Sequence, residues 1–284
     1  MSVSEPDEQR AASRETWEQA ASGWGRRADR VREWGMPVST AMVRGLALRP
    51  GQRVLELAAG PGDTGFMAAE LIAPGGQLIC SDGAQAMLDV ARARSEAAGI
   101  DNVEFRQLEL EWIDLPTASV DAVLCRWGIM LIVDPDAAAH EVRRVLRAGG
   151  RAACAVWDAA ERNPWAAIPS RAMVALGHAP PPDPDAPGMF SLAPAGKLQG
   201  LLQGAGFVDV EVQAVALERR YEQLERFIEE TIDMSPTFSA RFGELEPAAQ
   251  DEVLARIGAD AAPFQQPGGG VVLPGSSLVA VAHA

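Results

Sequence analysis

The sequence is short of cysteine, histidine, basic charge and long apolar runs, and each shortage removes a class of function. Its three cysteines, Cys80, Cys125 and Cys154, all fall in apolar stretches with the texture of central strands. Buried free thiols are therefore expected, not a disulfide framework or a metal cluster. That usage suits a reducing, cytoplasmic setting. The three histidines, His140, His178 and His283, lie far apart and lack ligand spacing, so no metal site is legible. Lysine and arginine number 25 against 39 acids, for a net charge of −14 and a pI of about 4.7. Nucleic acid and anionic membrane surfaces both need basic patches, and both are disfavoured as partners. No stretch is long and apolar enough to span a bilayer, and residues 1–14 carry no apolar signal region. Internal repeats are also missing.

What is present is ample apolar material, 48% of 284 residues, enough for one large domain or a domain with a subdomain. The rest of the chain is organised around a short apolar strand ending in an acid, Val54-Leu55-Glu56-Leu57, that runs into Ala58-Ala59-Gly60-Pro61-Gly62-Asp63-Thr64-Gly65. Glycines at 60, 62 and 65 permit close backbone approach to a ligand. The segment from Thr64 can start a helix whose free N–H groups face that ligand. Strand, glycine turn and helix together read as the first crossover of a nucleotide-type α/β domain. Residues 60–65 match the dinucleotide pattern G-x-G-x-x-G, and Asp82 lies twenty positions beyond Gly62, where a ribose-binding acid belongs. Glu56 opposes that reading. A carboxylate at the strand end repels a pyrophosphate and suits a ligand carrying an ammonium and a sulfonium.

Glu56-x-Ala58-x-Gly60-x-Gly62 resembles motif I of the class I S-adenosylmethionine-dependent methyltransferases, with alanine in place of the first glycine. Further pieces follow in that family's order: Cys80-Ser81-Asp82 with Met87-Leu88, Leu108-Glu109-Leu110-Glu111 ahead of Leu115-Pro116, Ser119 to Val123 with Cys125-Arg126-Trp127-Gly128, and Val145 to Gly150. The branch typified by ubiquinone and menaquinone biosynthesis methyltransferases is the most similar in flavour. The resemblance runs from about residue 45 to 157. It implies an α/β, doubly wound, mostly parallel seven-stranded Rossmann-like sheet whose last strand is antiparallel. It also implies a single overall domain: an N-terminal helical lid over residues 1–44, a cofactor core over 45–157, and residues 158–284 completing the sheet and adding a helical cap.

The pattern along the chain predicts a polar, frayed start to residue 13, two short helices from Trp17 interrupted near Gly23 and Gly25, and a further helix over 37–48. Strands are expected over 53–57, 77–81, 103–108, 120–125 and 152–157, with helices over 64–72 and 84–98 and a third opening at Asp134-Pro135 and ending at Gly149-Gly150. Beyond residue 157 come a proline-rich loop including Pro180-Pro181-Pro182, Pro184 and Pro187, helices over 166–176 and 192–205, a sixth strand over 208–215, and helices within 222–262. Two short apolar runs, 271–273 and 278–281, close the sheet.

By the resemblance, Glu56 receives the methionine amino group, while Ala58, Gly60 and Gly62 give backbone approach. Asp82, with Gly83, holds the ribose hydroxyls, or else Asp82 is a helix cap. Met87 lies under the adenine, or else is plain core. Glu109 and the Leu110 N–H meet the adenine, and Arg126 and Trp127 meet the methionine end. Asp63 and Thr64 cap the helix or touch the methionine carboxylate. A pocket for a small, largely apolar acceptor is expected from Trp24, Trp127, Trp165, Phe190, Phe238 and Phe242, with packing of the cap's own core as the alternative. No catalytic base stands out; His178, Tyr221 and Glu161 qualify by chemistry alone. Two other readings remain: an NAD-type oxidoreductase, and a non-catalytic protein of this fold that binds S-adenosylmethionine without turnover.

Overall fold

The computed structural model describes residues 5–183 and 186–284; the expectations for residues 1–4 and for Pro184 lie outside the described residues. Seven strands form one sheet: β1 (Arg53–Leu57), β2 (Gln77–Asp82), β3 (Val103–Gln107), β4 (Val120–Arg126), β5 (Leu146–Trp157), β6 (Val208–Tyr221) and β7 (Val271–His283). Their order is β3-β2-β1-β4-β5-β7-β6, with the first five parallel and β7 antiparallel to both neighbours. The helices α2 (Asp63–Ile72), α3 (Gln85–Ala98) and α4 (Pro135–Val145) are the crossovers. This is the expected doubly wound sheet. The apolar residues of the two central strands, Val54, Leu55 and Leu57 in β1 and Val120, Ala122, Val123, Leu124 and Cys125 in β4, are buried because helices cover both faces of the sheet. The strand order reverses between β1 and β4, so a crevice opens at their carboxyl ends, beside Glu56 and Arg126.

The N-terminus departs from expectation. In place of a frayed tail and three short helices there is one 42-residue helix, α1 (Glu5–Leu46), with Pro37 inside it. Val31, Trp34, Val38, Met42 and Leu46 recur at helical spacing and are buried in the main core, and that packing outweighs local propensity. Gly23, read as a helix weakener, is a point of close approach: a Cβ there would lie 2.1 Å from the Asp233 carbonyl oxygen.

Two further boundaries moved. Helix α4 ends at Val145, and Gly149-Gly150 belong to β5, where the register against β4 shifts between Val120↔Leu146 and Ala122↔Arg151. The extra residues form a bulge in which Gly149 takes φ 75°. The two apolar runs near the C-terminus are one strand. Pro274 pairs only with β6, at Glu218, because pairing to β5 begins at Ser277, so its missing N–H breaks no β5 bond.

Helices α5 (Pro164–Ala175), α7 (Leu224–Met234), α8 (Pro236–Gly243) and α9 (Pro247–Ala261) sit on the far halves of β6 and β7 around a second core of Ile168, Met173, Tyr221, Phe227, Phe238, Val253 and Ile257. The remaining helix, α6 (Lys197–Gly204), packs Leu198 and Leu202 into the main core.

Candidate functional site

The crevice at the β1 and β4 ends is a cavity roofed by the first half of α1. Its floor is Glu56, Ala58, Ala59, Gly60 and Pro61; one side is Asp82, Gly83, Ala84 and Met87, and the other is Arg126, Trp127 and Gly128. Glu109, Leu110, Glu111 and residues 131–133 close the rim, and Arg10, Ser13, Arg14, Trp17 and Trp24 come from α1.

Glu56 is 2% exposed. Its Oε1 accepts the Gly65 N–H at 2.7 Å, while its buried Oε2 has no partner. Burial pushes its pKa up to about 8, against the opposing pull of the Arg126 guanidinium and the Gly65 hydrogen bond. Arg126 is half-buried as a residue, with its side chain only 7% exposed. It donates to Ser39 Oγ at 3.0 Å and reaches Asp63 at 3.5 Å, and its guanidinium lies 4.6 Å from the centre of the Trp127 ring. Burial lowers its pKa, and the charges of Asp63 and Glu56 oppose that shift.

Asp82 holds two backbone groups at once: Oδ2 accepts from Gly60 at 2.9 Å and Oδ1 from Ala84 at 3.0 Å. Burial raises its pKa to about 6, opposed by the hydrogen bonds from Ala84 and Gly60 and helped by repulsion from Glu109 and Glu18. Trp127 takes φ 62°, an unusual value for a large residue. Its indole N–H donates to Ser277 Oγ at 3.0 Å and its ring stacks on Trp157 at 4.2 Å. Strain held by surrounding structure at a cavity wall is a mark of functional sites.

The roof is pinned by charge. Arg10 reaches Glu111 at 2.8 and 3.2 Å, and Arg14 lies 3.6 Å from Glu109. Glu18 accepts from the N–H groups of Gln85 and Ala86, capping α3 from another element. Trp24 donates to the Met234 carbonyl at 3.2 Å, tying the roof to the cap.

Of the expected cofactor residues, Glu56, Ala58, Gly60, Asp82, Gly83, Met87, Glu109, Leu110 and Arg126 line this cavity, as do Trp24 and Trp127. Gly62 does not. It precedes α2 at φ 87°, and a Cβ there would lie 2.5 Å from the Phe66 ring, so its smallness serves packing. Trp165, Phe190, Phe238 and Phe242 also lie elsewhere: Phe238 and Phe242 stack on each other at 5.4 Å in the cap's core, and Phe190 packs on the main core. Glu161, His178 and Tyr221 are not cavity residues either. Tyr221 is buried, donates to Glu230 at 2.7 Å, and has its pKa raised by burial. Asp63 pairs with Arg94 at 2.8 Å, and Thr64 shares a hydrogen bond with Ser39 at 2.8 Å. Sequence reasoning missed Arg10, Ser13, Arg14 and Glu18, because their partners are distant in the chain.

The cavity wall matches known proteins. Residues 54–150 match a family model described as a methyltransferase domain. The ubiquinone/menaquinone biosynthesis C-methyltransferase UbiE of Cellvibrio japonicus is 34% identical over 105 residues, 37% of this chain and 42% of that protein, so the match spans under half of the relative's length. Two solved structures share the fold at low identity. The YcgJ protein of Bacillus subtilis has a TM-score of 0.57 at 20% identity, covering 86% of this chain and 97% of its own. Phosphoethanolamine N-methyltransferase 2 of Haemonchus contortus, in complex with S-adenosyl-L-methionine, has a TM-score of 0.51 at 17% identity, covering 86% and 51%.

Proposed function

We propose that the protein, whose residues 54–150 match a family model described as a methyltransferase domain, binds S-adenosylmethionine in the roofed cavity and transfers its methyl group to a small-molecule acceptor. The observation that carries this reading is the half-partnered carboxyl of Glu56. A buried polar atom left unsatisfied costs about 1–3 kcal/mol, and an ammonium group completes it while favouring its ionised form. Arg126, next along the same wall, offers a guanidinium to the carboxylate of the same amino-acid end. Asp82 keeps a free lone pair on each oxygen beyond its backbone bonds, enough for two ribose hydroxyls. A Cβ on Gly60 would meet nothing within 4 Å, so its open side leaves room for the ligand. Met87 and Leu110 offer apolar faces to the adenine, with Glu109 at its edge.

When bound, the cofactor supplies a methyl carbon whose bond to sulfur breaks as the acceptor's electron pair attacks, the released pair staying on sulfur. The chain's part is placement and dryness: Trp127 fixes one wall, and Trp17 and Trp24 cover the top. We assign residues 1–44 to the roof, 45–157 to the cofactor core, and 158–284 to the rest of the sheet and the cap. A pyrophosphate is ill suited to the wall beside Glu56, which counts against an NAD-type enzyme. Calorimetry with S-adenosylmethionine, S-adenosylhomocysteine and NAD tests the proposal. Heat with NAD and none with the other two would return the dinucleotide reading. Binding with no turnover across an acceptor panel would leave a non-catalytic cofactor-binding protein.

A further inference from the structure

Against Trp127 stands a group of aromatic rings around one buried cation. Trp34 and Trp157 stack against Trp127 at 5.3 and 4.2 Å, and Trp165 meets Trp157 at 4.7 Å. The guanidinium carbon of Arg219 lies 3.7 Å from the centre of the Trp34 ring and 3.3 Å from that of Trp165. Arg219 is 5% exposed, and burial lowers its pKa. Its nearest carboxylate contact, Glu230 at 3.5 Å, is shared with the Tyr221 hydroxyl at 2.7 Å and with Arg30 at 3.7 Å.

The hydrogen-bond accounting is lopsided. The Nε of Arg219 and the indole Nε1 of Trp34 are both buried without an acceptor. Buried donors are nearly always satisfied, and two in one cluster describe a site short of acceptors. An aromatic box often holds a cationic ligand, but here a guanidinium already fills that role. Further positive charge would be repelled. The group that completes the cluster is an oxygen with negative charge, and indole walls suit a flat apolar body behind it.

We propose that this cluster recognises the methyl acceptor, and that the acceptor is a flat, apolar molecule bearing an anionic oxygen, either a carboxylate or a phenolate. The inference rests on the methyltransferase reading. Arg219 stands one indole away from Trp127, whose ring borders both the cofactor cavity and the cluster. An acceptor anchored at Arg219 and Trp34 thus extends toward the methyl donor. Arg219 is a binding and positioning residue in this scheme.

The test is selectivity in wild-type protein saturated with S-adenosylhomocysteine, which blocks Arg126 as a competing anion site. Benzoate and pentafluorophenolate are the anionic probes, benzamide the neutral control and benzylamine the cationic one, with binding read from tryptophan fluorescence and calorimetry. At least one anion is expected to bind about tenfold tighter than both controls, and which of the two binds tells carboxylate from phenolate. Trp34→Phe keeps an aromatic six-membered ring and removes the N–H together with its five-membered ring; it should weaken anion binding about fivefold, leaving S-adenosylhomocysteine affinity unchanged. Arg219→Gln should abolish the selectivity. Equal binding of the four probes to the loaded wild type overturns the proposal, as does a selectivity that both substitutions leave intact. Failure to bind S-adenosylhomocysteine would instead sink the methyltransferase reading.

Discussion

The carboxylate of Asp82 accepts the Gly60 N–H at 2.9 Å, so the end of β2 holds the glycine turn that follows β1. The acid has a scaffold duty as well as a proposed ligand duty. Asp82→Ala should therefore lower both folding stability and cofactor affinity, each by about 1–3 kcal/mol. Asp82→Asn, which keeps an acceptor for Gly60, should retain more stability than affinity. Thermal unfolding beside calorimetry separates the two; a stable Asp82→Ala protein with full affinity contradicts both duties.

Glu56 links folding and binding to pH. Its folded pKa of about 8 stands above the ordinary glutamate value of 4.5, so the folded protein holds a proton that the unfolded chain releases. Stability is then greatest below about pH 4.5 as far as this group is concerned, and declines as pH rises through the interval up to about 8. Glu56→Gln should flatten that decline. An ammonium ligand ionises Glu56, so S-adenosylhomocysteine binding at pH 7 should release close to one proton and strengthen as pH rises toward 8. Calorimetry in buffers of different ionisation enthalpy measures the release; none at pH 7 would mean that the ammonium lies elsewhere.

Ala58 takes φ 49° where the resembled motif carries glycine. A Cβ there costs about 1–2 kcal/mol in the left-handed region, against about 0.4–1 kcal/mol that glycine adds to unfolded-chain entropy. Ala58→Gly should thus be neutral to mildly stabilising. Gly128→Ala should be harmful, because its Cβ would lie 2.4 Å from the Ala58 methyl. The double substitution should recover part of the loss, and a double-mutant cycle by denaturant unfolding with no coupling would refute the clash.

The pairs Arg10–Glu111 and Arg14–Glu109 are partly exposed and contribute little to stability, about 0–1 kcal/mol each. Their importance is for the roof. Arg10→Ala should shift the melting temperature slightly and speed the release of S-adenosylhomocysteine. Hydrogen exchange should show residues 5–17 opening more readily than the core-packed 31–46. Uniform protection along α1 would show that the roof does not open independently.

The glycine turn was readable because its requirement is local: Glu56, Gly60 and Asp82 sit where strand ends must place them, and the covered strands announce themselves as short apolar runs broken by a single acid each, Glu56 and Asp121. The roof was not. Arg10 and Glu111 are 101 positions apart, and an ion pair across that distance leaves no periodic trace in either segment. Phe238 and Phe242 show a different limit. An aromatic at helical spacing reads the same whether it faces a ligand or its own helix bundle, and here it faces the bundle. Gly23 misled for a related reason, since a glycine that weakens an isolated helix also lets a neighbouring backbone approach.

Helix α1 is translated before the elements it packs on and is completed only when they arrive. Arg26 waits 207 residues for Asp233, and Gly45 packs against Val281, where a Cβ would lie 2.3 Å from a Val281 methyl. During synthesis the apolar face from Val31 to Leu46 therefore emerges long before β7 exists to complete the sheet beneath it. Such delayed closure exposes hydrophobic surface to chaperones and to other nascent chains. Ribosome-bound chains arrested near residue 265 should remain protease-sensitive throughout α1, and chains carried past residue 284 on a linker should become resistant.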